Sequence, residues 1–131
     1  GFLGTSLPPN KEQPVKTINQ VNVDDYKVLV LPGGVKAMEK VRQEKKIIDF
    51  ISKFNEQKKI IACICSGAQL LISAKVVKGR KIAGYYSMKD DLINAGAIYT
   101  DKPAVIDENI ITTAHYKDMG PWMREVIKKI N

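Results

Sequence analysis

The sequence predicts an α/β fold: a mostly parallel central sheet with helices on both faces. Three observations carry this reading. Two short, β-branched apolar runs each stop at a loop of small residues. Each loop opens into a helical pattern. Strand and helix alternate through the first two thirds of the chain. The 131 residues fit a single domain, 1–131, and a hydrophobic content of 44% is enough for a core.

Residues 1–23 read as an irregular lead-in, because Pro8, Pro9 and Pro14 forbid regular helix; residues 15–18 are expected to form a short edge strand. A buried strand over 26–31 is stopped by Pro32-Gly33-Gly34. One helix is expected over 37–57, with Ile47, Ile48, Ile51 and Phe54 on one face and Lys45, Lys46, Asp49, Lys53 and Glu56 on the other. A second buried strand over 59–64 runs into Cys65-Ser66-Gly67, followed by a helix over 68–74. A third strand is read over 81–86. A short helix over 88–95 ends at Gly96, a natural left-handed cap. Short strands follow over 97–100, 104–106 and 109–113, with Asp107-Glu108-Asn109 as a hairpin turn. Asp118 is placed to cap the last helix and Pro121 sits in its first turn; Trp122, Val126 and Ile130 form the buried stripe, helped by Met123 and Ile127.

Composition narrows the function classes. The net charge of +7 raises nucleic-acid binding. The lysines, however, are scattered as pairs such as Lys45-Lys46, Lys58-Lys59 and Lys128-Lys129, many beside acids and none interleaved with aromatics, so they read as a solvated surface without a nucleic-acid partner. No apolar run approaches a membrane span, and residues 1–14 lack the basic and apolar segments of a signal peptide. Cys63 and Cys65 are separated by one residue; a disulfide between them would be strained, so two reduced thiols and a cytoplasmic location are expected. With no second cysteine pair, Cys-x-Cys is a weak metal signal, and Pro32-Gly33-Gly34 lacks the lysine and spacing of a phosphate loop, so no metal or cofactor is expected.

In such sheets, ligands bind beyond the carboxyl ends of the strands, where the loops at Gly33 and Cys65 both lie. Cys65 stands at a strand-to-helix junction with small residues behind it, the pattern of a nucleophile elbow. The N-terminus of the next helix, aimed at the sulfur, would favour thiolate. The alternative is a small buried hydrophobe, which is how Cys63 is read. Gly33 and Gly34 can offer bare N–H groups to an oxyanion, or simply form a tight turn. His115, the only histidine, follows a strand whose end can lie near the elbow; it is either a base for Cys65 or a polar loop residue. Asp90 and Asp91 are most simply first-turn helix acids, and Trp122 is core or interface.

At these residues the chain resembles a known family. Residues 25–34 resemble the "YDALVIPGG" strand and loop of the ThiJ/PfpI family, and residues 61–71 resemble its "VAAICHGPQLL" elbow; residues 77–81 and 89–97 are similar to "LKGRK" and "IKDDLINAGA". The similarity runs from about Asp24 to the C-terminus, within the glutamine-amidotransferase-like superfamily, and the branch resembled is the PfpI-like one of intracellular cysteine peptidases and protein or nucleotide deglycases. The resemblance implies a flavodoxin-like three-layer sandwich. It implies Cys65 as nucleophile, the Gly34 and Ser66 amides as the oxyanion pair, Tyr85 as a pocket tyrosine, and Glu39 as an acid that approaches a neighbouring subunit's site in a dimer or hexamer. Gly33, Tyr85 and His115 are the candidate substrate-binding residues.

Two departures stand out. Histidine usually follows the nucleophile in the PfpI-like branch, and here that residue is Ser66, a poor general base. The family also opens with a strand, a helix and a strand, which supply an acid for the thiol. Nothing in residues 1–20 reads as that unit, so the central strand of the sheet is expected to be absent. Three functions follow. The first is a cysteine hydrolase of peptidase, deglycase or small-amide type, acting on a small-molecule or peptide/protein substrate. The second is a peroxide-responsive thiol. The third is a scaffold in which Cys65 is merely retained. A domain this small without its opening unit should be poorly stable. The 131-residue chain is therefore expected to melt broadly and at low temperature in calorimetry, and a cooperative, high-melting transition contradicts this.

Overall fold

The computed structural model describes residues 16–131; Pro8, Pro9, Pro14 and the start of the expected 15–18 strand lie outside them. Six strands are formed: β1 (Val28–Leu31), β2 (Ile60–Ile64), β3 (Lys81–Ile82), β4 (Ile98–Tyr99), β5 (Val105–Asp107) and β6 (Ile110–Thr113). Five helices accompany them: α1 (Val35–Val41), α2 (Lys45–Glu56), α3 (Ala68–Ser73), α4 (Lys89–Asn94) and α5 (Met119–Ile130). The main sheet has the order β1-β2-β6-β5; β1, β2 and β6 run parallel, and β5 pairs antiparallel with β6. β3 and β4 form a separate parallel pair. The mostly parallel α/β fold is as the sequence predicts, and the four main strands pair without a gap. Among the described residues β1 stands at one edge of this sheet.

Apolar residues alternate along β1 and β2 between two cores. Leu31, Ile61 and Cys63 face α1, α2 and α3, where Ile51, Phe54 and Leu71 are fully buried. Ala62, Ile64 and Ile111 face α5, where Trp122 and Val126 close the second core. The Trp122 indole N–H donates to the Ile111 carbonyl at 3.0 Å, so its one polar atom is satisfied inside the core.

Several expectations are corrected. Residues 18–20 form a single 3-10 turn (Ile18–Gln20), not an edge strand; Thr17 and Gln20 cap it reciprocally. The single helix over 37–57 is two helices. Gln43 and Glu44 donate to carbonyls only three residues back, tightening the last turn of α1, and the extended Glu44 restarts the chain as α2. The Arg42 guanidinium reaches Ser73 and Gln69 on α3 at 2.9 and 3.3 Å, tying the break to its neighbour. No glycine or proline marks this break. The third strand stops at Ile82 rather than 86. Beyond it the Ala83 amide donates to the Thr112 hydroxyl and the Tyr85 amide to the Cys65 carbonyl, so the ladder ends. Asp118 precedes α5 without a side-chain cap bond. In α5, Ile127 and Ile130 lie outside the buried stripe, 51% and 50% exposed. The Glu108-Asn109 hairpin turn and the left-handed Gly96 (φ +94°) after α4 are as predicted.

A polar knot holds the amino end of the sheet together. Arg80 donates to the Asn55 side chain at 2.8 Å, the Asp107 carbonyl at 2.8 Å and the Asn109 side chain at 2.7 Å. Asn109 in turn donates to Asn55 and to the Lys59 carbonyl. The guanidinium joins the end of α2 to the β5–β6 turn, and Asn109 carries the link on to the start of β2. Its removal leaves buried acceptors unsatisfied. Arg80→Ala is expected to lower unfolding free energy by about 2–3 kcal/mol in urea titrations, with little change in the m-value.

Candidate active site

Because β1, β2 and β6 are parallel, their carboxyl ends share one rim of the sheet. β1 leads into Pro32-Gly33-Gly34, β2 into Cys65, and β6 through Ala114 into His115. Five candidate residues from three distant parts of the sequence therefore converge here, and Tyr85 joins them through its amide, 3.2 Å from the Cys65 carbonyl.

Cys65 adopts φ +59°, the left-handed region that costs a non-glycine residue about 1–2 kcal/mol. It does so at the first residue of a 3-10 turn (Cys65–Gly67) that feeds α3. This is the strained strand–turn–helix geometry that lifts a side chain off the end of a sheet. The neighbours are small because the backbones crowd. A methyl group at position 33 would lie 2.9 Å from Cys65 Cβ and 3.3 Å from its sulfur, so the thiol stands directly against Gly33. A methyl at position 67 would lie 2.8 Å from the Leu31 and Pro32 carbonyl oxygens.

The two thiols part in character. Cys65 is half-buried and open to small reagents, while Cys63 is 1% exposed. Burial pushes the Cys63 thiol far up, with the neighbouring Cys65 adding to it, so Cys63 stays protonated core as read from the sequence. Ser66 is 2% exposed, and its hydroxyl lies 3.8 Å from the Cys65 sulfur, its one side-chain hydrogen-bond partner among the described residues. Gly34, at φ +106°, precedes α1, and its amide donates to no group among the described residues. The Ser66 amide lies in the first turn of its 3-10 run, where N–H groups have no intrahelical acceptor.

His115 caps the turn Tyr116–Asp118: its Nδ1 accepts from the Lys117 amide at 3.1 Å. With Nδ1 accepting, the neutral form of the ring carries its proton on Nε2. Its centroid lies 6.3 Å from Tyr85, 6.4 Å from Tyr86 and 4.1 Å from Tyr116, forming an aromatic wall beside the elbow. Lys117 sits over the Tyr86 ring, and its ammonium is held above its ordinary range by the hydrogen bond to Tyr86. Sequence reasoning passed over Tyr86, Tyr116 and Lys117. Their only signal was position, just after the ends of β3 and β6.

Glu39 lies apart from this group. It is exposed on α1 and lines a cleft of about 510 Å³ with Arg42, Gln69, Met88 and Asp91; Cys65 is not in its wall. A larger hollow of about 700 Å³ between the lead-in turns and α2, lined by Val21, Phe50 and Lys53, contains none of the candidate residues. Among the described residues no three His, Cys, Asp or Glu side chains cluster as metal ligands.

Iodoacetamide is expected to label Cys65 in the folded chain and Cys63 only after unfolding, as read by peptide mass mapping. Gly33→Ala should slow Cys65 labelling and destabilise the fold by about 1–3 kcal/mol, because the added methyl meets the Cys65 side chain.

Comparison with known proteins agrees with this geometry. Residues 7–129 match the DJ-1/PfpI family. The chain is 44% identical over 112 residues to Deglycase PfpI of Pyrococcus furiosus, covering 86% of this chain and 67% of that protein. It is 37% identical over 105 residues to General stress protein 18 of Bacillus subtilis, covering 80% and 60%. The chain thus spans about two thirds or less of these curated relatives. The DJ-1/ThiJ/PfpI-like and ferritin-like two-domain protein of Anabaena variabilis superposes with a TM-score of 0.83 at 28% identity, over 86% of this chain and 32% of that one. Drosophila melanogaster DJ-1beta superposes with a TM-score of 0.79 at 26% identity, over 86% and 61%. No helix among the described residues is long and apolar enough to cross a membrane. A left-handed cysteine at the end of a parallel strand, the glycine loop against it and a match over nearly the whole length lead to one conclusion: the chain belongs to the DJ-1/PfpI family.

Proposed function

We propose that this chain is a cysteine-dependent hydrolase of the deglycase-like kind, with Cys65 as its nucleophile. The observation that supports it most is the conformation of Cys65. A strained φ of +59° at a half-exposed thiol, at the junction of strand and helix, is the geometry that presents a nucleophile at the end of a sheet. The name of the Pyrococcus relative supports the same class of reaction.

In this reading the Cys65 thiolate attacks an electrophilic carbon that carries the amine, either an acyl carbonyl carbon or the carbinol carbon of an amine–dicarbonyl adduct. The Gly34 and Ser66 amides receive the oxyanion. Collapse breaks the bond to the leaving amine, which takes a proton. An acyl substrate is then held as a thioester; a dicarbonyl adduct is held as a hemithioacetal, which becomes a thioester when the carbinol proton shifts to the neighbouring carbonyl carbon, and water attacks the thioester carbon and returns the thiol. Tyr85 and His115 line the substrate side, and the Nε2 proton of His115 is a donor for a substrate oxygen or for the departing nitrogen. Glu39 would act only across an interface between copies, in a dimer or hexamer. The substrate is a small molecule or an exposed peptide group.

A second reading has its own support. Among the described residues the polar side chain that the hydrogen-bonding geometry puts on the sulfur is a serine hydroxyl, not a base, and one relative is named a general stress protein. A peroxide-responsive thiol needs no base: thiolate and hydrogen peroxide give sulfenic acid and hydroxide.

Release of lactate from methylglyoxal-modified N-acetylarginine separates the two. Cys65→Ala is expected to lower turnover by about a hundredfold or more, while Cys63→Ala keeps most of it. Activity that survives Cys65→Ala overturns the hydrolase. Absence of turnover in the unaltered chain, with one oxygen added at Cys65 under dilute peroxide, favours the sensor.

A further inference from the structure

The rim of the sheet leaves aromatic surface uncovered beside the elbow. Tyr86 is 42% exposed and Tyr116 is 62% exposed, and neither belongs to either core. His115 joins them. Its ring lies 6.4 Å from Tyr86 at an interplanar angle of 15°, and 4.1 Å from Tyr116 at 34°. The two tyrosine rings thus follow the plane of the histidine and form one shelf of π-surface. Exposed aromatic surface next to a half-buried thiol is the setting of a binding site.

The shelf selects among groups by shape and charge. Flat ring faces suit a flat partner. A guanidinium is planar and weakly hydrated and stacks on them, whereas an alkylammonium is a compact, strongly hydrated point charge. The border admits a cation. Lys117 lies over the Tyr86 ring at 5.9 Å, but the carboxylates of Asp118 and Asp101 both act on its ammonium. Asp118 makes no cap bond to α5, so its carboxylate is not spent there. Lys89 faces the ring of Tyr99, outside the shelf. One ammonium facing two carboxylates does not repel an incoming positive charge.

A second observation comes from the sulfur. Among the described residues its side-chain partner is the Ser66 hydroxyl, a poor acid for a departing nitrogen. An alkyl nitrogen needs a proton as its bond breaks. A guanidinium already carries its charge at neutral pH. When the thiolate attacks the carbinol carbon of a guanidinium adduct, the C–S bond forms and the C–N bond breaks with its electron pair staying on nitrogen. The two charges cancel, so a neutral guanidine leaves and then takes a proton from water. The shelf and the sulfur therefore suit the same group.

Resting on the hydrolase reading, we propose that Tyr86, His115 and Tyr116 form a guanidino subsite, and that the chain acts on dicarbonyl adducts of arginine-type groups in preference to lysine-type ones.

The test compares lactate release from methylglyoxal-modified N-acetylarginine and N-acetyllysine. The arginine adduct is expected to show the higher kcat/KM by about tenfold. Tyr116→Leu and Tyr86→Leu should each raise KM for the arginine adduct about three- to fivefold and leave kcat and the lysine adduct nearly unchanged. Tyr116→Phe and Tyr86→Phe, which keep the ring, should restore the preference. Binding of unmodified N-acetylarginine is read separately, by shifts of the Tyr86, His115 and Tyr116 ring signals in proton NMR, with N-acetyllysine as the comparison. Equal turnover of the two adducts, or leucine variants that weaken both alike, overturns the subsite and leaves the hydrolase standing. If neither adduct releases lactate, the hydrolase reading fails and the ring signals decide. Shifts with N-acetylarginine alone then support a guanidino-binding shelf, and equal or absent shifts overturn it.

Discussion

The site depends on a contact that only a hydrogen atom permits. Gly33 and Cys65 come from loops after adjacent parallel strands, and they meet because the register of β1 on β2 brings both strand ends to one rim. Where a Cβ at position 33 would stand, the Cys65 side chain already does, at 2.9 Å. The left-handed turn of Cys65 puts its sulfur into that space, and Gly67 then lets the following turn pass close beneath the Leu31 and Pro32 carbonyls. These are one arrangement: the strain at Cys65 is held because the strands on either side and α3 behind it leave the chain no other path. Packing of Phe54, Leu71 and Ile61 at one face and of Trp122 and Ile111 at the other fixes those strands, so the elbow draws on both cores.

The remaining wall of the site is set by side-chain bonds. β3 is only two residues long, and yet Tyr85 is placed beside the elbow. Three anchors achieve this. The Arg80 knot fixes the start of β3 against the β5–β6 turn. The Thr112 hydroxyl catches the Ala83 amide inside the core. The Cys65 carbonyl catches the Tyr85 amide. A polar residue at 112, in a strand that is otherwise suited to Val or Ile, is thereby explained: it replaces a missing ladder partner.

How much was legible follows from which interactions are local. Strands β1 and β2, the elbow and the glycine loop were readable because β-branched runs and small-residue loops encode them directly. The break between α1 and α2 was not, because an arginine that reaches across to α3 causes it and no turn residue marks it. The truncation of β3 was hidden for the same reason, since the acceptor on Thr112 lies 29 residues away. Ile127 and Ile130 read as core because helical spacing reports a stripe without saying how wide its cover is. His115 illustrates the limit at the site. Its place after β6 was visible, whereas the Lys117 amide that occupies Nδ1 belongs to the turn it caps.

That last bond bears on the kind of chemistry the rim can perform. A relay needs a nitrogen lone pair facing the thiol, and the neutral His115 ring spends its lone pair on the Lys117 amide. Among the described residues the side-chain hydrogen-bond partner of the Cys65 sulfur is the neutral Ser66 hydroxyl, joined in the proposed mechanism by the amides of Ser66 and Gly34. Neutral donors hold an oxyanion or thiolate well, but they do not shuttle protons. A peptide amide is a poor leaving group unless its nitrogen is protonated as the bond breaks, so its cleavage leans on a strong acid–base pair. The hemiaminal of a dicarbonyl adduct already carries a weakly bound amine and asks less of the enzyme. In the proposed mechanism, Ser66 in place of the histidine after the nucleophile therefore favours substrates whose amine departs with a proton from water over peptide bonds.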